Sequence, residues 1–275
     1  MKLLKSIFDF YINSSIHVAI AVCCFTAVSL MRFEYCPDTE LLGFIFFGTL
    51  TGYNFVKYAG VAKLHHRSLA RNLKLIQLFS FLSFLALIYF SLQLPLKTLF
   101  WAGLFGIFTL FYAVPVLPAK KNLRSYKGLK IFIITLVVAG VTVILPVIHQ
   151  GYTPGMEEIV VFFQRCLFII AAMIPFEIRD LKYDPQALGT IPQELGIRRT
   201  KAGGMVLLVL FVIPDLFNTS QRESFLYASI AISVITAIFI FFSKRDQPKY
   251  YSSFWVEALP IFWVIIALLI TASIY

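Results

Sequence analysis

The chain has 275 residues, 59% apolar and 14% charged, with a formal net charge of +10 and a mean hydropathy of +0.83. Soluble domains average about 45–50% apolar and 25% charged residues, so this composition excludes an ordinary water-soluble enzyme, a disordered chain and a disulfide scaffold. What it leaves is an integral membrane protein of helices, because its apolar runs are continuous and do not alternate as outer-membrane strands must.

Nine apolar segments are predicted to span the bilayer, at residues 12–31, 41–60, 75–94, 97–117, 129–148, 157–178, 203–218, 224–243 and 254–274. The first follows Lys2 and Lys5 and reads as a retained span, since no A-x-A cleavage pattern closes its long run. The second carries Gly48-x-x-x-Gly52, a helix-packing spacing, followed by Asn54. The seventh is short and holds Pro214 and Asp215. Cys23, Cys24, Cys36 and Cys166 form no CxxC or Cys/His spacing and read as small apolar residues, so neither a zinc site nor a disulfide framework is expected.

The basic residues fix an orientation. Twenty of the 24 Lys and Arg residues lie at the N-terminus or in the second, fourth, sixth and eighth connections, against Arg32, Lys97 and Arg222 in the others. This is the positive-inside pattern, and it places the N-terminus in the cytoplasm. Topology and anionic lipid account for the basic excess without nucleic acid. Arg165 and Asp215 both enter from the far side, and a structural ion pair between them is expected there. Glu257 is a further charge near the membrane.

Three of the 14 acidic residues crowd the end of the sixth span, at Glu177, Asp180 and Asp184. Their i, i+3, i+7 spacing puts them on one helical face if the helix continues to Pro185. A helix C-terminus carries partial negative charge, so the placement is locally adverse. It reads either as a solvated helix end with local ion pairs to Arg179 and Lys182, or as a divalent-cation site of the kind that binds Mg²⁺ together with substrate phosphates.

The stretch EIRDLKYDPQALGTIPQELGIRR, residues 177–199, resembles the second aspartate motif of the UbiA superfamily of intramembrane prenyltransferases. Asp180 and Asp184 match its two aspartates. Gly189, Thr190 and Pro192 match the turn that follows, and Leu195, Gly196 and Arg198 the segment after it. FYAVPVLPAKKNLRSYKGLK, residues 111–130, resembles the family's Tyr-Ser/Ala-x-Pro segment and basic loop. The resemblance implies an all-α membrane fold of nine helices around a central cavity, forming a single domain over residues 1–275. It also implies transfer of a prenyl group from a polyprenyl diphosphate to a lipid or quinone-type acceptor at the cytoplasmic face. By the same resemblance Asp180, Asp184 and Glu177 would hold Mg²⁺. Lys57, Lys120, Lys121, Arg124 and Lys130 would contact the diphosphate, with Asn54 and Tyr112 beside the reacting groups. Read singly, each basic residue also fits a positive-inside anchor, Tyr112 an interfacial aromatic, and Asn54 an interhelical hydrogen-bonding residue.

The sequence departs from the family where the first aspartate motif should stand. Asn54 is kept, but the three acidic positions hold Phe55, Tyr58 and Ala62, and Glu177 stands where the family has Asn. Two charge substitutions could compensate: Lys57 as a point charge toward diphosphate, and Glu177 as a third carboxylate. The alternative is a non-catalytic protein of the same fold that binds an isoprenoid lipid or a partner protein.

Overall fold

In the computed structural model, residues 2–58, 70–115, 123, 126, 128–217 and 223–274 are described. Among them there are helices and no strands. They form α1 (Lys2–Asn13), α2 (Ile16–Arg32), α3 (Thr39–Tyr58), α4 (Ala70–Ser91), α5 (Leu96–Ala113), α6 (Leu129–Ala139), α7 (Leu145–His149), α8 (Met156–Asp180), α9 (Ile191–Phe217), α10 (Glu223–Phe242) and α11 (Leu259–Ile274). Two π-helical turns, Gly140–Ile144 and Tyr251–Val256, join α6 to α7 and lead into α11.

Each predicted span overlaps a helix, and the differences lie at the ends and in the count. Seven helical rods among the described residues are long and apolar enough to cross a membrane, or eight if the bent pair α1–α2 is one span. The predicted second span forms α3 but is not among them, because Thr49, Thr51, Tyr53, Asn54 and Lys57 dilute its apolar run. The first predicted segment breaks at Ser14–Ser15, where the axis turns by 56° and Ser15 takes a positive φ of 67°. The seventh begins earlier than predicted: α9 starts at Ile191 and bends at Gly196, whose φ of 76° favours glycine.

The helices pack in chain order and close on themselves. α2 packs on α3, α3 on α5, α5 on α6, α6 on α8, α8 on α9, α9 on α10 and α10 on α11, and α11 returns to α2. α4 lies against α3, and only 11% of its apolar window is buried, against 61% for the rod Leu129–His149. The exposed Leu78, Phe81, Leu82 and Leu85 of α4 are a lipid-facing surface in a chain of this composition. The core gathers Phe25, Phe168, Phe211 and Trp263 from α2, α8, α9 and α11, with ring centroids 5.0–6.2 Å apart. Arg165 is buried among them, its guanidinium 4.6 Å from the Phe25 centroid and 5.0 Å from that of Trp263.

The expected pair of Arg165 with Asp215 does not form. Arg165 donates to Phe25 O, Thr142 Oγ1 and Ser29 Oγ. Asp215 instead accepts from Arg32 at 2.7 Å and from Gln164 Nε2 at 2.9 Å. Arg32 ends α2 and is the nearer cation, whereas Arg165 is enclosed by aromatic rings and backbone carbonyls.

Among the described residues, the α2–α3 and α7–α8 connections meet at one end of the bundle, and the α8–α9 and α10–α11 connections at the other. At one end Tyr35 stacks on Tyr152 and His149 Nε2 lies 2.9 Å from Asp38. At the other, Lys182 pairs with Asp246, and Asp9 accepts from Lys249 and Tyr250. Among the described residues, the second end carries Arg179, Lys182, Lys244, Arg245 and Lys249.

Candidate functional site

The acidic cluster sits at this second end, and its three carboxylates come together on one side. Regular helix α8 stops at Asp180, earlier than expected. The amides of Tyr183 and Asp184 both donate to Asp180 O at 2.8 Å, one last helical turn that keeps Asp184 on the side of Glu177 and Asp180. The segment beyond is held by Gln193, whose Oε1 accepts from Thr190 N and whose Nε2 donates to the carbonyls of Asp184 and Pro185.

Lys130, the second residue of α6, reaches into the cluster. Its Nζ lies 3.0 Å from Glu177 Oε1, 3.3 Å from Asp180 Oδ2 and 3.4 Å from Asp184 Oδ2. Lys130 is thus the counter-ion of all three carboxylates and not a free diphosphate contact. A second cation borders them: Arg179 donates through Nε to Asp180 Oδ1 at 2.9 Å and stands 5.3 Å from the Phe176 ring centroid. Outside the spans, the Lys182 hydrogen bond holds the Asp246 carboxyl below its ordinary range.

Two adverse local placements explain the meeting. A lysine at the start of a helix faces the positive end of its dipole, and carboxylates at the end of a helix face the negative one. Bringing the start of α6 against the end of α8 lets each relieve the other. A backbone clasp sets the approach: Gly128 N donates to Leu188 O, and Gly128 holds a φ of 67° just before α6.

The place of the family's first motif does different work. Asn54 is buried and engaged through every group of its amide. It donates to Ser14 O at 3.0 Å and Ser80 Oγ at 2.9 Å, and accepts from Ser15 Oγ at 2.6 Å. Lys57 Nζ and Tyr58 Oη both donate to Asn13 O, the last carbonyl of α1. These side chains of α3 therefore clamp the α1–α2 elbow.

Tyr112 is buried near the end of α5. Tyr53 on α3 feels the charges of Glu257, Arg179 and Asp180 as well as Tyr112, and Glu257 feels those of Lys57 and Arg179. Tyr53 was not legible as a site residue. Its one signal is adjacency to Asn54. Glu257 was visible as an isolated charge, but its neighbours on α3 and α8 are far away in sequence. Lys120, Lys121 and Arg124 lie outside the described residues.

Glu177, Asp180 and Asp184 have the donor chemistry for Mg²⁺, yet they converge on a position filled by the Lys130 ammonium. Mg²⁺ needs oxygens at about 2.0–2.1 Å and keeps several waters. The cluster is nearly closed to solvent, with side-chain exposures of 14% for Lys130, 3% for Glu177, 21% for Asp180 and 12% for Asp184. With Lys130 in place the set does not fit a hydrated divalent ion.

No protein-family profile matches the chain, and no curated protein matches it. A solved structure of digeranylgeranylglyceryl phosphate synthase in membranes is similar over 99% of this chain and 98% of its own, with a TM-score of 0.56 and 19% sequence identity. At that identity the likeness shows a shared fold, that of a membrane prenyltransferase.

Proposed function

We propose that the chain is a UbiA-like membrane protein that takes a prenyl diphosphate and transfers its prenyl group to a lipophilic, lipid or quinone-type acceptor. The observation that carries the reading is the chain-long fold likeness to digeranylgeranylglyceryl phosphate synthase. The clustered charges at one end of the bundle support it.

Prenyl transfer breaks the allylic C–O bond. The diphosphate leaves with the electron pair, and positive charge develops on the prenyl carbon until the acceptor attacks it and loses a proton. The protein's task is electrostatic: fixed cations near the departing oxygens and aromatic faces near the developing cation. Lys57 and Arg179 both act electrostatically on Glu257, which with Tyr112 and Arg179 acts in turn on Tyr53. In this reading Lys57 turns from Asn13 O and Arg179 from Asp180 to contact the diphosphate, together with the basic stretch of Lys120, Lys121 and Arg124. Tyr53 and Tyr112 border the prenyl carbon. Mg²⁺ at Asp180 and Asp184 would first require Lys130 to leave, so no step here is routed through a metal. In this reading the reaction faces the cytoplasm, which the positive-inside pattern of the sequence supports.

A second reading is a non-catalytic isoprenoid-lipid or partner-binding protein of the same fold. It is favoured by the use of Asn54, Lys57 and Tyr58 as a clamp on the elbow in place of the first acidic motif.

The test is calorimetric binding of geranylgeranyl diphosphate and of geranylgeraniol to the detergent-purified protein, followed by an acceptor screen with radiolabelled donor. The proposal requires diphosphate-dependent binding that weakens in Arg179→Ala, and a labelled lipid product. Equal binding of alcohol and diphosphate with no product would favour the second reading. No binding of either compound would overturn both.

A further inference from the structure

We infer that Lys130 is the resident cation of the carboxylate site: its ammonium takes the place of a divalent metal, and the site works without one. Three observations carry this. The ammonium lies 3.0–3.4 Å from one oxygen of each of Glu177, Asp180 and Asp184, a position no second cation can share. It is held there by construction, since the Gly128–Leu188 backbone hydrogen bond fixes the start of α6 against the segment that follows Asp184. The partners also offset most of the charge without a metal. Lys130 and Arg179 supply two positive charges against three carboxylates, leaving one net negative charge, and Arg179 pairs with Asp180 at 2.8 Å.

The arrangement accounts for two features of the sequence together. The first acidic motif is missing, with Phe55, Tyr58 and Ala62 in its acidic positions, so that segment brings no carboxylates of its own. The second set keeps its aspartates and gains Glu177. Retained acids with no metal still need neutralising, because three carboxylates at a helix end repel one another and the dipole. A lysine delivered from the facing helix does this with hydrogen-bonding distances in place of metal–oxygen distances. The aspartates then serve to fix Lys130 and the turn after α8, as positioning residues at the mouth of the bundle.

Cation occupancy is read with no isoprenoid present. Failure here therefore leaves the proposed prenyl diphosphate binding intact, and failure of that binding leaves this inference intact. The experiment is titration of Mn²⁺ into the detergent-purified full chain, followed by the loss of the free-ion electron paramagnetic resonance signal. Wild type and Lys130→Arg are expected to leave the signal unchanged. Lys130→Met should bind one Mn²⁺ per chain, at least about tenfold more tightly than wild type, because a unit charge of the same sign has gone from the site. That gain should vanish when Asp180→Asn and Asp184→Asn are added. Stoichiometric Mn²⁺ binding by wild type that is lost in Asp180→Asn/Asp184→Asn overturns the inference, and this arm does not depend on the Lys130→Met chain folding. A well-folded Lys130→Met protein that gains no Mn²⁺ binding overturns it too.

Discussion

Asn54 Nδ2 donates to Ser14 O at 3.0 Å, so a side chain one turn from the end of α3 holds the elbow between the first two helices. The same amide bonds Ser15 and Ser80, which ties α3 to α4 as well. Removing one partner of a buried hydrogen bond costs about 1–3 kcal/mol, because the group left behind keeps its desolvation penalty. Asn54→Ala should therefore lower thermal stability in detergent by that order. Asn54→Asp should be little better, since a carboxylate cannot donate to Ser14 O. An Asn54→Ala protein that melts like wild type but no longer binds prenyl diphosphate would show that Asn54 serves the ligand instead of the elbow.

Arg32 and Asp215 form the one described ion pair in which both side chains are at most 10% exposed, and it joins α2 to α9. Breaking a buried pair by removing one partner costs about 3–5 kcal/mol, whereas removing both costs much less. Asp215→Ala should depress the melting temperature strongly, and Arg32→Met/Asp215→Leu should recover most of the loss. Thermal unfolding followed by size-exclusion fluorescence checks this. Equal losses in the single and double variants would mean that the pair contributes by shape alone.

Gly140 opens the π-helical turn in the most buried rod, and a Cβ there would overlap the ring of Phe105 on α5. Overpacking of a tight core costs about 1–3 kcal/mol. Gly140→Ala should destabilise by that amount, and Gly140→Ala/Phe105→Leu should be closer to wild type. If the second substitution adds to the first, the two residues do not compete for the same space.

Orientation can be read with the native thiols. Cys36 is exposed in the connection between α2 and α3, while Cys23, Cys24 and Cys166 are half-buried in helices. A membrane-impermeant maleimide should label Cys36 in sealed right-side-out vesicles, and label a Cys introduced at Asp246 only after permeabilisation. The reverse pattern would invert the assignment drawn from the Lys and Arg distribution.

Much of this protein is legible in its sequence for a simple physical reason. A bilayer offers no partner for backbone groups, so long apolar runs must become helices, and the locations of Lys and Arg report which ends face which side. The helical class, most of the spans and the crowding of Glu177, Asp180 and Asp184 follow from one-dimensional pattern. The tertiary structure decided what those charges do. Lys130 and Glu177 are 47 positions apart, and no local spacing shows that the start of α6 meets the end of α8. Asn54, Lys57 and Tyr58 likewise face an elbow more than 38 residues earlier. Charge partners are chosen by which helix ends come together, and that depends on packing across the whole bundle.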